Sequence, residues 1–252
     1  MPVATRRGSA AVPELVPVYT AAQVREAERP LIEAGVPLMS RAAAALARVT
    51  GALVAASSGR RVLVLVGGGD NGGDALFAAA LLLADGAARA RAVDVLPTSP
   101  AHHAKGLAAA LAAGARIVDA AEAAASRPDV VIDGILGTGT HGAPVLRGTA
   151  RDVVSTLIPD AASRTIAVVA VDLPSGLHPD DGTTADGLVL PASVTVTFGA
   201  VKAGLVRGRG PELAGRVVLA DIGLGPALAA SEPVGEAEVE SVIDVARDAS
   251  PG

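Results

Sequence analysis

The chain repeats one device. A short run of aliphatic residues is followed by a Gly- or Pro-marked loop and then by an Ala-rich stretch with helical spacing. The runs are "RVLVLV" (61–66), "RAVDVL" (91–96), "DVVID" (129–133) and "TIAVVAVD" (165–172). Helices are predicted over 73–85, 100–113, 120–126 and 149–157, and two further strands in "ASVTVTFG" and "GRVVLADIG". A continuous apolar run fits a strand buried on both faces, which needs helices on both sides. Repeated strand–helix alternation therefore predicts an α/β fold with a mostly parallel, doubly wound sheet.

Composition narrows what this fold can do. Half of the 252 residues are apolar, yet Tyr19, Phe77 and Phe198 are the whole aromatic set, so Ala, Val, Leu and Ile build the core. Net charge is −5, and no basic stripe or stacking platform is present, which argues against a nucleic-acid partner. The chain has no cysteine, excluding disulfides, thiol nucleophiles and Cys-ligated zinc. The start carries no apolar leader, and the most apolar stretch, Ala75 to Ala84, is far short of a membrane span. A cytoplasmic location is expected, with no membrane partner. One domain is expected over 18–225, after a disordered arm over 1–17 and before an acidic tail or linker over 226–252. Thr20 and Gln23 have capping-box spacing at the head of a helix, in which Pro30 predicts a kink or break.

Three polar clusters fall at strand ends. Asp70 and Asn71 follow 61–66, Asp133 ends 129–133, and Asp172 ends 165–172 with Ser175 three residues on. In a doubly wound sheet all these ends open on one edge, where ligands bind. One such Asp alone is an ordinary N-cap or turn former. Three clusters on one edge, each in a Gly-rich loop, point to a site. Gly67, Gly69 and Gly72 spell G-x-G-x-x-G, and Asp94 lies 22 residues after Gly72, where a ribose-binding acid would stand in a dinucleotide fold. Asp70 and Asn71, however, occupy the turn that would meet a pyrophosphate, and a carboxylate opposes it unless a cation intervenes. A Walker A loop is excluded, because no Lys-Ser/Thr follows the glycines. Asn, Asp and Ser supply hard oxygen ligands for Mg²⁺, Ca²⁺ or an alkali ion, so Asn71, Asp133 and Ser175 could surround one ion. His102 and His103 read as a helix start. His141 and His178 lie in loops of the site, where they could touch substrate.

In order and spacing, residues 19–225 resemble the NAD(P)H-hydrate epimerases, the family built on the YjeF N-terminal domain. "GGGDNGGDALFAA" resembles its G-N-N-G-G-D-G loop, "VIDGILGTGTHGAPVLRG" its D-x-L-x-G-x-G loop, and "VVAVDLPSGLHPDDG" its V-D-I-P-S-G segment. "YTAAQVREAERPLIEAGVPLMSRAAAALA" resembles its N-terminal helix pair, and "VTVTFGAVKAGL" and "GRVVLADIGLG" complete the series. The resemblance implies a Rossmann-like three-layer α/β/α sandwich, a homodimer, and one potassium ion per subunit held by Asn71, Asp133 and Ser175. It implies epimerisation of the R and S forms of hydrated NADH and NADPH, in concert with an ADP- or ATP-dependent dehydratase that is fused to this domain in some chains. Substrate contacts would come from Asp70, Asn71, Gly72, Gly73 and Asp74, from Gly137, Thr138, Gly139, Thr140, His141, Gly142 and Ala143, and from Asp172, which is also expected to act as general acid/base. Asp70 stands where the family commonly has Asn, Ala75 where it often has Gly, and Thr98 where some members have Lys. Lys202 could meet a substrate phosphate, but reads first as a solvated surface lysine. Two other functions remain open: an NAD-dependent oxidoreductase, and a non-catalytic domain that binds a nucleotide or a partner.

Overall fold

Residues 13–84, 90–139 and 144–246 are described by the structure, a computed structural model. Strand β2 (Arg61–Val66) shows how sequence sets the layers. Val62, Val64 and Val66 enter one apolar cluster, while Leu63 and Leu65 enter another. β5 (Val130–Gly134) and β6 (Ala167–Val171) divide in the same way. Ile132, Val169 and Val171 join the first cluster, and Val131 and Val168 join the second. Helices α2 (Leu38–Ala56), α3 (Asp70–Ala84) and α4 (Ala104–Ala112) cover the first face. Helices α5 (Ala120–Ala125) and α6 (Gly148–Ala162) cover the other. This is the predicted α/β/α sandwich.

The main sheet adds β3 (Ala92–Pro97), β4 (Arg116–Ile117), β7 (Val194–Phe198), β9 (Arg216–Asp221) and β11 (Ser241–Asp244). Its order is β11-β9-β7-β6-β5-β2-β3-β4, with every neighbouring pair parallel. From β2 the chain moves outward to β3 and β4, then returns to β5 on the opposite side of β2. That reversal makes the crevice between the C-terminal ends of β2 and β5, the place where such sheets bind ligands.

A second sheet was not foreseen. β1 (Glu14–Tyr19) pairs antiparallel with β10 (Gly235–Val239) and parallel with β8 (Val201–Lys202). Part of the expected N-terminal arm, residues 14–17, is therefore strand. Part of the expected tail, 235–239 and 241–244, is strand as well. The signal was alternation: in "GEAEV" Ala237 and Val239 are buried while Glu236 and Glu238 face out. Those two apolar residues join Val18 in a third cluster.

Helix α1 (Ala21–Glu33) begins with the predicted capping box, Thr20 accepting from the Gln23 N–H at 3.2 Å and Gln23 from the Thr20 N–H at 2.8 Å. Pro30 does not split it: the helix runs on for three residues beyond it, to Glu33. His103 caps α4, its Nδ1 accepting from the Gly106 N–H at 3.0 Å, as expected of a helix start. Among the described residues one helix, Leu38–Ala56, is long and apolar enough to cross a membrane by length and composition. Its buried residues, among them Ala42, Ala45, Leu46 and Val54, belong to the first core cluster.

Candidate functional site at the strand ends

Two loops close on each other at the β2/β5 crevice. The Gly67 N–H donates to the Gly134 carbonyl at 3.0 Å. A Cβ on Gly67 would lie 1.8 Å from the Ile135 carbonyl oxygen, and one on Gly72 would lie 2.3 Å from that of Gly67. Of the G-x-G-x-x-G string, Gly67 therefore serves packing between the two loops and Gly72 packing within the first, while Gly69 faces open space. A Cβ on Gly137 would come within 2.4 Å of the Asn71 Oδ1, so the second loop lies directly on the Asn71 side chain.

The expected cation ligands do come together. The Ser175 hydroxyl donates to Asp133 Oδ1 at 2.6 Å, and the Ser175 N–H to Oδ2 at 2.9 Å. Asn71 Nδ2 donates to the Val171 carbonyl at 2.5 Å and more distantly to that of Leu136, whose N–H donates to the Ser175 hydroxyl at 2.9 Å. Asp133 is 0% exposed. Burial pushes its carboxyl above the usual range, and the Ser175 and Ile135 donors pull it back. Among the described residues no protein cation forms an ion pair with it.

Asp172 leaves β6 with φ +66°, a left-handed conformation that Asp tolerates better than most residues. Its Oδ1 receives three donors: Lys202 Nζ at 2.5 Å, the Thr197 hydroxyl at 3.0 Å and the Phe198 N–H at 3.1 Å. Among the described residues no hydrogen bond reaches Oδ2. Lys202 is 2% exposed and also donates to the Phe198 carbonyl at 2.7 Å. The surface reading of Lys202 is thus corrected: it is the buried counter-ion of Asp172. In an Arg-rich chain with two lysines, its place one strand beyond the "VTVTF" run was the available signal.

A cavity of about 350 Å³ adjoins these groups at Phe198, the one of them that lines it. Glu28, Asp70 and Asp74 line it, facing an apolar wall that includes Ile32, Leu38, Met39, Phe198 and Ile222. Asp70 is exposed and opens α3, where the positive helix end favours an acid. Asp74 is 5% exposed. Burial, then the charges of Asp172, Asp70 and Glu28, hold its carboxyl well above the usual range, against an opposing pull from Lys202. A folded-state value above the unfolded one means that the folded protein holds more protons between the two. Stability contributed by Asp74 therefore falls as pH rises from about 4 through that raised value. Asp74→Asn is expected to flatten this slope and to raise stability at pH 7 by about 1 kcal/mol. Thermal melts from pH 4 to 8 check it, and an unchanged slope would refute the assignment.

Of the remaining sequence-predicted residues, Gly73 is buried in α3 and Thr138 and Gly139 continue the second loop. Arg25 of α1, which the sequence analysis did not single out, donates to the Thr138 carbonyl at 2.8 Å. Thr140, His141, Gly142 and Ala143 lie outside the described residues. His178 is engaged locally, its Nδ1 lying 3.1 Å from an Asp181 carboxyl oxygen. Thr98 ties its hydroxyl to the Val66 carbonyl at the end of β2. Asp94, the ribose acid of the oxidoreductase reading, sits 3% exposed within β3. It accepts from Arg116 Nε and Nη2 at 3.1 and 2.8 Å, which removes it from that role.

A family model described as YjeF-related protein N-terminus matches residues 35–204. The chain belongs to this family. Within the YjeF-related N-terminal family, it is 52% identical over 237 residues to a Microbacterium testaceum protein named NAD(P)H-hydrate epimerase, covering 93% of this chain and 88% of that one. A Clavibacter michiganensis protein of the same name is 51% identical, over 82% of this chain and 90% of that one. A shorter match, 39% identical over 41% of this chain, reaches 19% of an Escherichia coli protein named bifunctional NAD(P)H-hydrate repair enzyme Nnr. The crystal structure of the yeast protein ynu0 has the same fold, with a TM-score of 0.67 at 19% identity over 87% of this chain and 96% of that one.

Proposed function

We propose that this chain is an NAD(P)H-hydrate epimerase, interconverting the R and S forms of hydrated NADH and NADPH in nicotinamide-nucleotide repair. The observation that carries this reading is identity of about one half, over most of both chains, with relatives of that name. The strand-end site supports it. The substrate carries a hydroxyl on C6 of the reduced nicotinamide ring, and epimerisation must break and remake a bond to C6. That requires a group that accepts a proton and a group that returns one. Asp172 is suited to this work: Lys202, Thr197 and the Phe198 N–H fix Oδ1, and Oδ2 is left to meet the substrate. The two Gly-rich loops would carry the dinucleotide, and Arg25 ties the second of them to α1.

A potassium ion fits the residues present. Asp133 is a wholly buried carboxyl with no cationic side chain paired to it, and Asn71 and Ser175 bring neutral oxygen donors beside it. These three would hold the ion, which would supply a fixed positive charge where the loops meet. A potassium-loaded protein is expected to gain about 2.7 kcal/mol when the ion is at a hundredfold its dissociation constant. Melts in potassium against lithium chloride measure the gain, and Asp133→Asn should abolish it. An equal gain in that variant would place the ion elsewhere. A homodimer working in the cytoplasm, alongside an ADP- or ATP-dependent dehydratase in a separate chain or domain, completes the proposal. The named relatives of the bifunctional repair type are consistent with that partner. The deciding experiment gives the purified chain the R-hydrate of NADPH with potassium present and follows the S-form by chiral chromatography. Acceleration over the uncatalysed interconversion is the expected result, and none from folded protein would refute the reading.

A further inference from the structure

Glu28 is the one carboxyl lining the cavity to which the family resemblance assigns no role. On the solvent side of α1, Arg29 pairs with Glu26 and with Glu33. Glu28 takes part in neither pair. It is half-buried and lines the cavity, and among the described residues no donor hydrogen-bonds its carboxyl. The charged groups around it come from four places: Arg25 on its own helix, Asp70 and Asp74 on α3, Asp172 after β6, and Lys202 in β8. Phe198 joins the two halves of the site. It lines the cavity with Glu28, and its N–H donates to Asp172.

We propose that Glu28 is a second acid–base residue of the epimerisation, working from the α1 side of the cavity while Asp172 works from the strand side. This rests on the epimerase reading. Inversion at C6 needs a proton donor and a proton acceptor at the same moment, and a single carboxylate cannot be both. In ring opening, Asp172 takes the C6 hydroxyl proton. The oxygen lone pair forms C6=O, the C6–N1 bond breaks, and N1 takes the proton carried by Glu28. The open aldehyde turns about C5–C6 and presents its other face. N1 then attacks C6, returns its proton to Glu28, and the oxygen recovers its proton from Asp172, so charge and protons balance. Glu28 is equipped for the donor role because burial, ahead of the opposing pull of Lys202 and with the charges of Asp172 and Asp70 adding to it, raises its carboxyl above the usual range. Glu28 is half-buried and lines the cavity, so its carboxyl is open to a substrate that enters there.

The test compares wild type, Glu28→Gln and Glu28→Asp on the R-hydrate of NADPH, with thermal melts of each and kcat against pH. Glu28→Gln should fold, keep KM within a few-fold, lose about 10²-fold or more in kcat, and lose the fall in kcat at alkaline pH that a required protonated acid produces. Glu28→Asp should recover part of the rate. Wild-type kcat in a folded Glu28→Gln protein overturns the proposal and leaves the epimerase reading standing. A reduced kcat with the wild-type pH profile also overturns it, making Glu28 a positioning residue. An inactive wild type overturns the epimerase reading, and this proposal with it.

Discussion

Asp172→Asn is expected to slow epimerisation by about 10²- to 10⁴-fold, the usual contribution of a positioned acid–base group, and, because it leaves Lys202 buried without its counter-ion, to cost about 3–5 kcal/mol of stability, so a thermal melt accompanies every assay. Asn is the informative choice for two reasons. It tolerates the left-handed conformation at φ +66° nearly as well as Asp, whereas a β-branched residue would strain the turn. Its Oδ1 can still accept from the Phe198 N–H and the Thr197 hydroxyl, so the end of β6 stays tied to β7. What it cannot do is take and return a proton at the other atom. The loss should therefore fall on kcat, with KM little changed, because the two Gly-rich loops are untouched. Single-turnover and steady-state assays separate the two. Full activity in a folded Asp172→Asn protein would remove Asp172 from the chemistry.

The sequence made the sandwich and its parallel sheet legible because both faces of "RVLVLV", "DVVID" and "AVVAV" are apolar, and only a helix-covered sheet buries both. The meeting of Asn71, Asp133 and Ser175 was legible for a related reason: parallel strands bring their C-terminal ends to one edge whatever the loops between them. The small sheet was not, because β1 and β10 are separated by almost the whole domain and nothing local in either strand points to its partner. Pro17 also breaks the visual pattern of "ELVPVY", although it faces Glu236 in a register that the pairing accommodates. Asp94 shows the opposite failure. Its spacing from the glycines fits a ribose ligand, but spacing cannot reveal that Arg116, in a neighbouring strand, already holds the carboxylate. Glu28 was hidden among look-alikes. Glu26, Glu28 and Glu33 share a helix, and only packing separates the residue turned to the cavity from the two paired with Arg29.

Lys202→Met is expected to destabilise the protein by about 3–5 kcal/mol, the cost of removing one partner from a buried ion pair. In a chain of this size that corresponds to roughly 6–20 °C in Tm. Met fills most of the lysine's volume, so the loss is electrostatic: Asp172 keeps Thr197 and the Phe198 N–H but loses its counter-ion, and the Phe198 carbonyl loses a donor. The double variant Asp172→Asn/Lys202→Met separates folding from function. With both charges gone no buried ion is left unpaired, and most of the stability should return, because a buried pair contributes little beyond what neutral side chains of similar volume supply. Activity should not return, because the proton-carrying group is still missing. Melting Lys202→Met at wild-type temperature would mean that the pair is solvated after all. Recovery of activity in the double variant would mean that the pair holds the strand ends in place and that the proton is carried by another residue.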